Sequence, residues 1–570
     1  MTPDFSRKTS RWIAAALLAV MAVLMIVAAR NDSATVDETT FLSAGYTYLT
    51  GHRYYFEPEH PPLSQMLPAT PLLFMDIKYS DNARALLEGR ASYPWTRPWF
   101  GEVRAWQDYF PNGRENWYFW ALPEAQLFGQ MFVYDGKNDG DAVMLAGRCV
   151  QIALTLAVGA LIFLWVRQVT ANEFAALCAL ALWVFNPNAL AHGHLITTDI
   201  GVTLGMTAAL FLFGRFLESP TNRSIALCGT VTGVALLMKF TAVTLAPMYV
   251  LLTVIFRKKL RAANVNVVKM AAIGFAATWA VVLLVNFPLW APAPPMPQQQ
   301  ATALGVPGWF QAFRPLLIPP DFFKGLALTL GHSKMGHEEY LLSGWSHEGW
   351  WYYYPFTMFL KSPLAFIALL VTAAGVFLRN RARTRPLEGV AWVCAALYLL
   401  AAMTSKVNIG VRHLLPIFPL LTVGIGCAIP RLKQWLVGGL VAWQAIICLI
   451  SAPLYLQFFS EAVGGASNGY KYLIDSNYDW GQDAKRLKAF LNERGVDHIY
   501  LDYFGTQFSI EYLKIPNTRT DANKAREIKQ GWLVISASQL MRPEWAWLRE
   551  SRPPTERVAW TLFVYRLGDS

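Results

Sequence analysis

The sequence predicts an α-helical polytopic membrane protein with a small α/β domain at its C-terminal end. Of the 570 residues, 54% are hydrophobic and only 15% are charged, whereas soluble domains carry about 25% charged residues. Eleven apolar runs punctuate the chain as far as residue 451, and a helical span needs about 20 such residues. After residue 451 the apolar residues alternate with polar ones, which is typical of strands.

The first apolar run covers residues 11–29 and follows a basic stretch that ends at Arg11. It is longer than the apolar core of a secretory signal peptide, which has about 7–15 residues, so we interpret it as a span. In the stretch 224–256 only Lys239 separates two runs, and a single span there would invert the topology downstream. The other predicted spans are 142–166, 173–190, 198–218, 224–239, 241–256, 268–289, 355–378, 388–404, 410–429 and 433–451.

The formal charge of +11 comes from basic residues placed between the apolar runs, such as Arg257, Lys258 and the tract 379–385. This placement follows the positive-inside rule for cytoplasmic loops, so it argues against a nucleic-acid partner. It predicts a multi-pass membrane protein with a cytoplasmic N-terminus. The large outer regions are then residues 30–141, 290–354 and 452–570. All six cysteines lie in apolar runs without a CxxC pair, which signals neither a disulfide framework nor a zinc ribbon.

The predicted domains are a transmembrane unit, residues 1–451, and an extracytoplasmic α/β unit, residues 452–570. Within the second unit we expect a helix at 482–494, followed by strands near 498–504, 531–537 and 557–566. The transmembrane unit includes the outer loop 30–141, with juxtamembrane helices, and the outer loop 290–354.

The stretch directly after the first span carries the most specific polar signal. The adjacent carboxylates Asp37 and Glu38 precede a predicted short helix that contains Tyr48. The run EPEHPPL, residues 57–63, then presents Glu59 and His60 among three prolines, which restrict the backbone around them. A rigid polar loop of this kind predicts a site at the membrane surface, although the two carboxylates could also serve only as a helix cap.

Further ionisable residues fall at the outer ends of predicted spans, where they are costly and therefore indicate function. Acidic and basic side chains together on the outer face of the membrane predict a site that binds an anion and transfers a proton. Alternatives stay open, because Asp199 could cap a helix and Lys239 could extend to the interface. His192 and His194 lack the further ligands that would define a metal geometry. The residues are Asp199, Lys239, Lys361, Arg412 and His413.

At these positions the chain resembles the polytopic C-type glycosyltransferases that use lipid-phosphate sugars. The nearest groups are the dolichyl-phosphate-mannose protein mannosyltransferases and bacterial relatives such as the lipid A aminoarabinose transferase. Besides Asp37, Glu38, Ala44, Gly45 and Tyr48, the matching motifs occur in the same order between about residues 12 and 490. They are PEHPPL (58–63), AHGHLITTD (191–199), GVALLMK (233–239), GWWYYYP (349–355), LKSP (360–363), RHLLP (412–416) and LIDSNYDWGQ (473–482).

The resemblance implies an inverting transfer of a hexose or pentose on the outer face of a bacterial inner membrane. The donor would be a polyprenyl-phosphate sugar, and the acceptor a hydroxyl of a protein, glycolipid or polysaccharide. Asp37 would be the general base, Glu38 would orient it or the acceptor, and Asp199 would contact sugar hydroxyls or bridge a metal.

Developing phosphate charge requires positive groups, and Arg412, Lys239 and Lys361 are the expected ones. His413, His60 and Tyr48 complete the expected substrate site. Where the relatives often have a lysine before the paired prolines, this chain has His60. Some relatives bind a divalent metal through a first-loop carboxylate and a histidine. In this chain those ligands would be Glu59 and His192, with His60 nearby.

The main alternative is a secondary transporter or flippase of a lipid-linked or anionic substrate. Such proteins place ionisable residues in mid-span, between inverted repeats with short loops. Here the charges lie at span ends beside long loops, and no repeat is evident. A metallohydrolase of the HExxH type is disfavoured because His337-Glu338-Glu339 lacks the second histidine.

Overall fold

The computed structural model describes residues 6–51, 56–57, 59–87, 122–289, 320–381 and 384–568. It is mostly helical, with one small sheet near the C-terminal end, as the sequence predicts. The helices up to the fifth apolar run are α1 (Arg7–Asn31), α2 (Glu38–Gly51), α3 (Leu63–Ala69), α4 (Asp81–Leu87), α5 (Leu122–Tyr134), α6 (Gly140–Thr170), α7 (Glu173–Val184), α8 (Pro187–His194), α9 (Asp199–Glu218) and α10 (Asn222–Met238).

The remaining helices include the rest of the membrane part and the short helices of the C-terminal region. They are α11 (Leu245–Ile255), α12 (Arg257–Ala262), α13 (Val267–Asn286), α14 (Pro320–Met335), α15 (Tyr353–Leu360), α16 (Leu364–Asn380), α17 (Pro386–Met403), α18 (Ile417–Ala428), α19 (Gln434–Ile450), α20 (Ala484–Arg494), α21 (Gln507–Tyr512), α22 (Ala522–Ala525), α23 (Ala537–Leu540) and α24 (Ala546–Ser551).

Among the described residues, five helices are long and apolar enough to cross a membrane, namely α1, α6, α9, α13 with its extension to Leu289, and α17. The pair α7 and α8, bent by 58°, makes six if it counts as one span. Five shorter apolar segments, of 10–17 residues, are α10, α16, α19 and the stretches Phe240–Ile255 and Ile417–Arg431. Every predicted run therefore contains a helix, while the count of eleven spans stays a prediction.

Several helices turn large apolar side chains outward, as a bilayer-facing surface requires. Val268, Leu284 and Phe287 on or beside α13, and Trp435 and Ile450 on α19, are largely exposed. The interior of the bundle is closely packed. A Cβ on Gly229 of α10 would lie 2.2 Å from the backbone oxygen of Gly274 in α13, the close approach that small residues permit between membrane helices.

Lys239 marks a break in the chain rather than the middle of one long span. Helix α10 ends at Met238, and Lys239 is extended with φ −161° and ψ 139°. A 3-10 turn, Phe240–Thr244, then leads into α11. The stretch 224–256 is therefore two helical segments, and the ammonium group of Lys239 lies at the junction between them.

The helix predicted after Asp37 is α2, which begins at Glu38. Its residues are buried on nearly every side rather than along one stripe, because α3 and α5 pack around it. Gly45 is required by this packing, since a Cβ there would lie 1.9 Å from the backbone oxygen of Gln65. The remainder of the predicted first loop, residues 88–121, and the proline-rich stretch 290–319 lie outside the described residues.

The C-terminal sheet has the strand order β4-β3-β5-β7-β6, from β3 (Ile499–Asp502), β4 (Asn517–Arg519), β5 (Gly531–Ser536), β6 (Glu556–Val558) and β7 (Leu562–Leu567). Strands β4, β3 and β5 are parallel, whereas β5, β7 and β6 are antiparallel. A small separate hairpin consists of β1 (Glu339–Leu341) and β2 (Gly344–Ser346).

Two details of this sheet differ from the sequence prediction. The single strand expected at 557–566 is the antiparallel pair β6 and β7, because Ala559 and Trp560 take positive φ values of 50° and 65° and turn the chain. Strand β4 was not expected, since its three residues are polar and mostly exposed. The helix predicted at 482–494 is confirmed as α20.

Residues 452–482 connect the helical bundle with the sheet. On the bundle side, the N–H of Ser460 donates to the carbonyl of Leu360 at 2.7 Å, and on the sheet side the ring of Tyr470 lies 4.9 Å from that of Phe563. We therefore propose that the strands and helices of the α/β unit begin near α20, and that the stretch predicted to open this unit joins it to the membrane part.

The burial of Asp479, in this connecting stretch, predicts that the stability of the folded protein depends on pH. Asp479 accepts the N–H of Ser538 at 2.8 Å, and burial raises its pKa from 3.8 to about 7. Asp483 is the neighbouring carboxylate and adds to the rise. The folded state therefore holds the carboxyl proton of Asp479 more tightly than the unfolded chain does. The resulting contribution of Asp479 to the free energy of unfolding is lost as the pH rises from about 4 through 7.

We expect Asp479→Asn to remove this pH dependence, because the amide oxygen can still accept the Ser538 N–H. At pH 8 the variant should exceed the wild type in stability by ~2–4 kcal/mol, since each pKa unit is worth about 1.4 kcal/mol. Thermal unfolding in detergent at pH 5 and pH 8 measures the difference. Asp497→Asn, at an exposed position, is the control. A variant that is less stable than the wild type at pH 8 would contradict the assignment.

Candidate active site

Asp37 lies in the turn between α1 and α2 and is paired with Arg412. Its Oδ2 accepts a hydrogen bond from Arg412 Nη1 at 3.1 Å, and 27% of its side chain is exposed. Arg412 belongs to a 3-10 turn, Val411–Leu414, that precedes α18. Two residues 375 positions apart thus form a partly open ion pair, and Asp37 is its accessible member.

Asp199 and Lys239 continue this pair into the interior. Asp199 is the first residue of α9, and its Oδ1 accepts a hydrogen bond from Lys239 Nζ at 2.5 Å. Its Oδ2 lies 3.9 Å from Arg412 Nη1. The four charges alternate in sign from Asp37 to Lys239, so each buried group has an opposite charge beside it. Asp199 is therefore part of this charge row and does not act as a helix cap.

His413 follows Arg412 directly but points to another partner. Its Nδ1 lies 3.3 Å from the hydroxyl of Tyr354, whose own hydrogen goes to the carbonyl of Val407 at 2.6 Å. The imidazole is half-buried. The structure therefore places His413 next to the site without a direct contact to Asp37.

Glu38 is fully buried, in contrast to its neighbour Asp37. Arg148 binds both of its oxygens, Nε to Oε1 at 2.8 Å and Nη2 to Oε2 at 2.6 Å. The N–H groups of Thr35 and Ile196 donate to the same carboxylate, each at 2.9 Å. This carboxylate has no oxygen left for a substrate. Of the two expected roles, this geometry suits the orientation of Asp37 and not a contact with the acceptor, because Glu38 fixes the start of α2 and thereby the position of Asp37.

Arg148 is a site-supporting residue that the sequence reasoning missed. It lies within the apolar helix α6 and also donates to the carbonyls of Ala29, Asp32 and Ser33, at 2.7, 2.8 and 2.9 Å. The available signal was a lone arginine inside a predicted span, which is costly unless it is paired. The guanidinium group therefore ties the end of α1 to the beginning of α2.

Lys361 does not face the charge row, although the sequence suggested a phosphate contact. It is buried, and its Nζ donates to the carbonyls of Leu456 at 2.9 Å and Asn477 at 2.6 Å. The ring of Phe459 covers it at 4.6 Å. Because its hydrogen bonds go to backbone carbonyls, Lys361 anchors the connecting stretch 452–482 to the membrane part.

Tyr48 also supports the site rather than lining it. It is fully buried in α2, and its hydroxyl accepts the backbone N–H of Glu57 at 2.9 Å. Gln65 donates to the carbonyls of Glu57 and His60, at 3.0 and 3.2 Å. The proline-rich run is therefore held against α2 and α3 in one position.

Glu57, Glu59 and His60 bring three potential metal ligands within 4.8 Å of one another. His60 Nδ1 lies 3.2 Å from Glu57 Oε1. His332 of α14 adds a second imidazole, because its Nδ1 lies 2.9 Å from Glu59 Oε1. The other ring nitrogen of His332, Nε2, lies 3.3 Å from Nδ1 of His337. Carboxylate oxygens with imidazole nitrogens suit a divalent transition metal such as zinc.

His192 is not part of this cluster. It is fully buried in α8, and its ring lies 6.5 Å from that of Trp480. Neither ring nitrogen has a hydrogen-bond partner among the described residues. The expected pairing of Glu59 with His192 is thus replaced by Glu59 with His332, a residue that no sequence motif singled out.

Residues 140–285 match the family model described as dolichyl-phosphate-mannose-protein mannosyltransferase, which confirms the resemblance predicted from the motifs over that part of the chain. No curated protein sequence matches the chain significantly.

Three solved structures are similar to the chain at low identity. ArnT from Cupriavidus metallidurans bound to undecaprenyl phosphate has 11% identity and a TM-score of 0.49, with 98% of each chain covered. The apo form of the same protein has 13% identity and a TM-score of 0.48, with 97% of each covered. The Archaeoglobus fulgidus oligosaccharyltransferase tethered with an acceptor peptide has 11% identity and a TM-score of 0.43, over 92% of this chain and 69% of that one.

Proposed function

We propose that the protein is an inverting glycosyltransferase that moves a sugar from a polyprenyl phosphate carrier to an acceptor hydroxyl. The observation that carries the proposal is the geometry of Asp37. Arg412 binds its Oδ2, and among the described residues no hydrogen bond reaches its Oδ1. A partly exposed carboxylate with one free oxygen can accept the proton of a hydroxyl group.

The reaction is a single displacement at the anomeric carbon. The acceptor oxygen attacks this carbon while its proton passes to Asp37, and the bond from the carbon to the phosphate oxygen breaks. The electron pair leaves with the polyprenyl phosphate, a good leaving group that needs no strong general acid. The sugar carbon is attacked from the face opposite the phosphate, so its configuration inverts.

The phosphate that leaves must meet positive charge or hydrogen-bond donors. Arg412 is already shared between Asp37 and Asp199, and Lys239 is bound to Asp199. Arg412 has further N–H groups to donate, because a guanidinium group carries five. We therefore assign the phosphate contact to Arg412 and Lys239, and not to Lys361.

Glu57, Glu59 and His60, with His332 bound to Glu59, offer a donor set that fits a divalent metal ion. A bound ion would supply positive charge that favours the release of a phosphate group. We expect a chelator to lower the activity of the wild type at least tenfold and added zinc or manganese to restore it. Glu59→Gln should have the low activity from the start and respond to neither treatment. An unchanged wild-type rate after exhaustive chelation, checked by elemental analysis, would remove the metal from the proposal.

The length of α9 supports a site on the extracytoplasmic face. This helix has 20 residues and begins at Asp199 in the site, so it is about 30 Å long, close to the thickness of a bilayer core. At its other end Glu218 pairs with Arg385 of the basic tract, at 3.1 Å. The basic tract and Asp199 thus lie at opposite ends of α9. Because basic loops favour the cytoplasm, this arrangement supports an extracytoplasmic site.

Donor turnover tests the proposal. The protein, purified in lipid, is incubated with radiolabelled polyprenyl-phosphate hexoses and pentoses together with a peptide, a glycolipid or a polysaccharide acceptor. We expect one donor to lose its sugar to one acceptor class. If the label instead crosses the membrane of sealed vesicles and stays attached to its lipid, the protein is a transporter and the proposal is wrong.

A further inference from the structure

Residues 475–482, in the motif LIDSNYDWGQ, bind the backbone beside both members of the Asp37–Arg412 pair. The carbonyl of Trp480 accepts the N–H of Val36, the residue before Asp37, at 3.2 Å. On the other side, Asn477 Oδ1 accepts the N–H of Val411, the residue before Arg412, at 2.9 Å. The 475–482 segment therefore fixes the backbone on both sides of the ion pair.

Trp480 also contacts the charged group itself. The guanidinium carbon of Arg412 lies 4.4 Å from the centroid of the Trp480 ring, a distance at which the ring face attracts a cation. Only 2% of Trp480 is exposed, so water does not compete for this face. The buried Nε of Arg412 has no hydrogen-bond partner among the described residues. The ring is thus a main support for the plane of the guanidinium group.

The 475–482 segment is held rigidly enough to act as a template. Gln482 Oε1 accepts the N–H of Trp480 at 2.8 Å, and the carbonyl of Gln482 accepts the N–H of Ser33 at 2.8 Å. Gly410, beside Val411, has φ +126°, and a Cβ there would lie 2.6 Å from the Ser476 hydroxyl. Close contact between this turn and the segment therefore requires glycine at position 410.

We propose that Trp480 is a positioning residue that holds Arg412, and through it Asp37, in the geometry needed for proton transfer. The inference rests on the proposed function and deepens it. It assigns the stretch before the C-terminal sheet to the transfer reaction itself rather than to the choice of acceptor. The group that Trp480 acts on is Arg412, so its effect must disappear when Arg412 is absent.

A double-mutant cycle on turnover tests this dependence. Trp480→Leu should lower kcat by roughly 10–100-fold and change the KM for the donor by less than about threefold, because small displacements of reacting groups cost about this much. Trp480→Phe keeps an aromatic face and should recover most of the rate. In the Arg412→Gln background, Trp480→Leu should cost less than about twofold, since residues in contact are not additive.

The matched control is Trp545→Phe, which changes another buried tryptophan of the C-terminal region that binds Asp502 at 2.9 Å. It should leave kcat unchanged. An equal loss for Trp480→Leu with and without Arg412 would overturn the proposal, and so would an unchanged kcat.

Thermal unfolding of the same four proteins gives a readout that needs no substrate. If Trp480 supports Arg412, the loss in Tm of the double variant must differ from the sum of the losses of the two single variants. A loss equal to that sum would show that the contact contributes nothing to stability. Absence of turnover by the wild type with every donor overturns the proposed function and, with it, the positioning role in transfer. A coupled Tm in that case still assigns the contact a structural role.

Discussion

Replacing Asp37 by asparagine is expected to lower sugar transfer by ~10²–10⁴-fold, the loss that follows removal of a general base. The amide has the same shape and can still accept the Arg412 hydrogen bond, but it cannot take up a proton. The rate is measured as release of polyprenyl phosphate in a single turnover, and binding of the donor should change little.

The control for this change is Asp76→Asn, at a carboxylate with 83% of its side chain exposed. It should transfer sugar at the wild-type rate. If Asp37→Asn also keeps the wild-type rate while folded, Asp37 is not the base. Asp199 would be the next candidate, because the carboxylate of Glu38 is enclosed by Arg148 and backbone N–H groups.

The second large effect is on stability, at the buried pair of Glu38 and Arg148. Removing one partner leaves an unpaired buried charge, which typically costs 3–5 kcal/mol. We expect Arg148→Met and Glu38→Gln each to lower the apparent Tm in detergent markedly. The double variant should be less destabilised than the sum of the two, because it leaves no unpaired charge.

Arg215→Met is the matched control, since Arg215 is an exposed arginine near the end of α9. It should change the free energy of unfolding by less than about 0.5 kcal/mol. The assignment would be contradicted if Arg148→Met were no more destabilising than Arg215→Met. Any Arg148→Met protein that stays folded should also transfer sugar slowly, because the turn that presents Asp37 loses its anchor.

Much of the fold could be predicted because its signals are local. Apolar runs predict the helices and basic tracts predict where they end, and every predicted run contains a helix. The ionisable residues that form the charge row, Asp37, Asp199, Lys239 and Arg412, were found because each interrupts or borders such a run. Their mutual contacts depend on packing, and the sequence could predict only that they share one face.

The rest of the site could not be predicted because neighbours in sequence point in different directions. Asp37 and Glu38 are adjacent carboxylates, but Glu38 is the first residue of α2 and its side chain is buried in the core. Lys361 resembles Lys239 in its place at a span end, yet backbone carbonyls bind it. Trp480 is one of 22 tryptophans, and only the three-dimensional structure shows which one lies against Arg412.

Phosphorus NMR of a polyprenyl-phosphate sugar mixed with the protein and an acceptor follows the proposed transfer at the phosphate itself. We expect the phosphodiester signal of one donor to convert to the monoester signal of polyprenyl phosphate, and the product sugar to carry the inverted anomeric configuration. Conversion should be nearly absent with Asp37→Asn. A donor signal that remains a diester with every sugar and acceptor, while the lipid-linked sugar crosses vesicle membranes, would show that the protein is a transporter and not a glycosyltransferase.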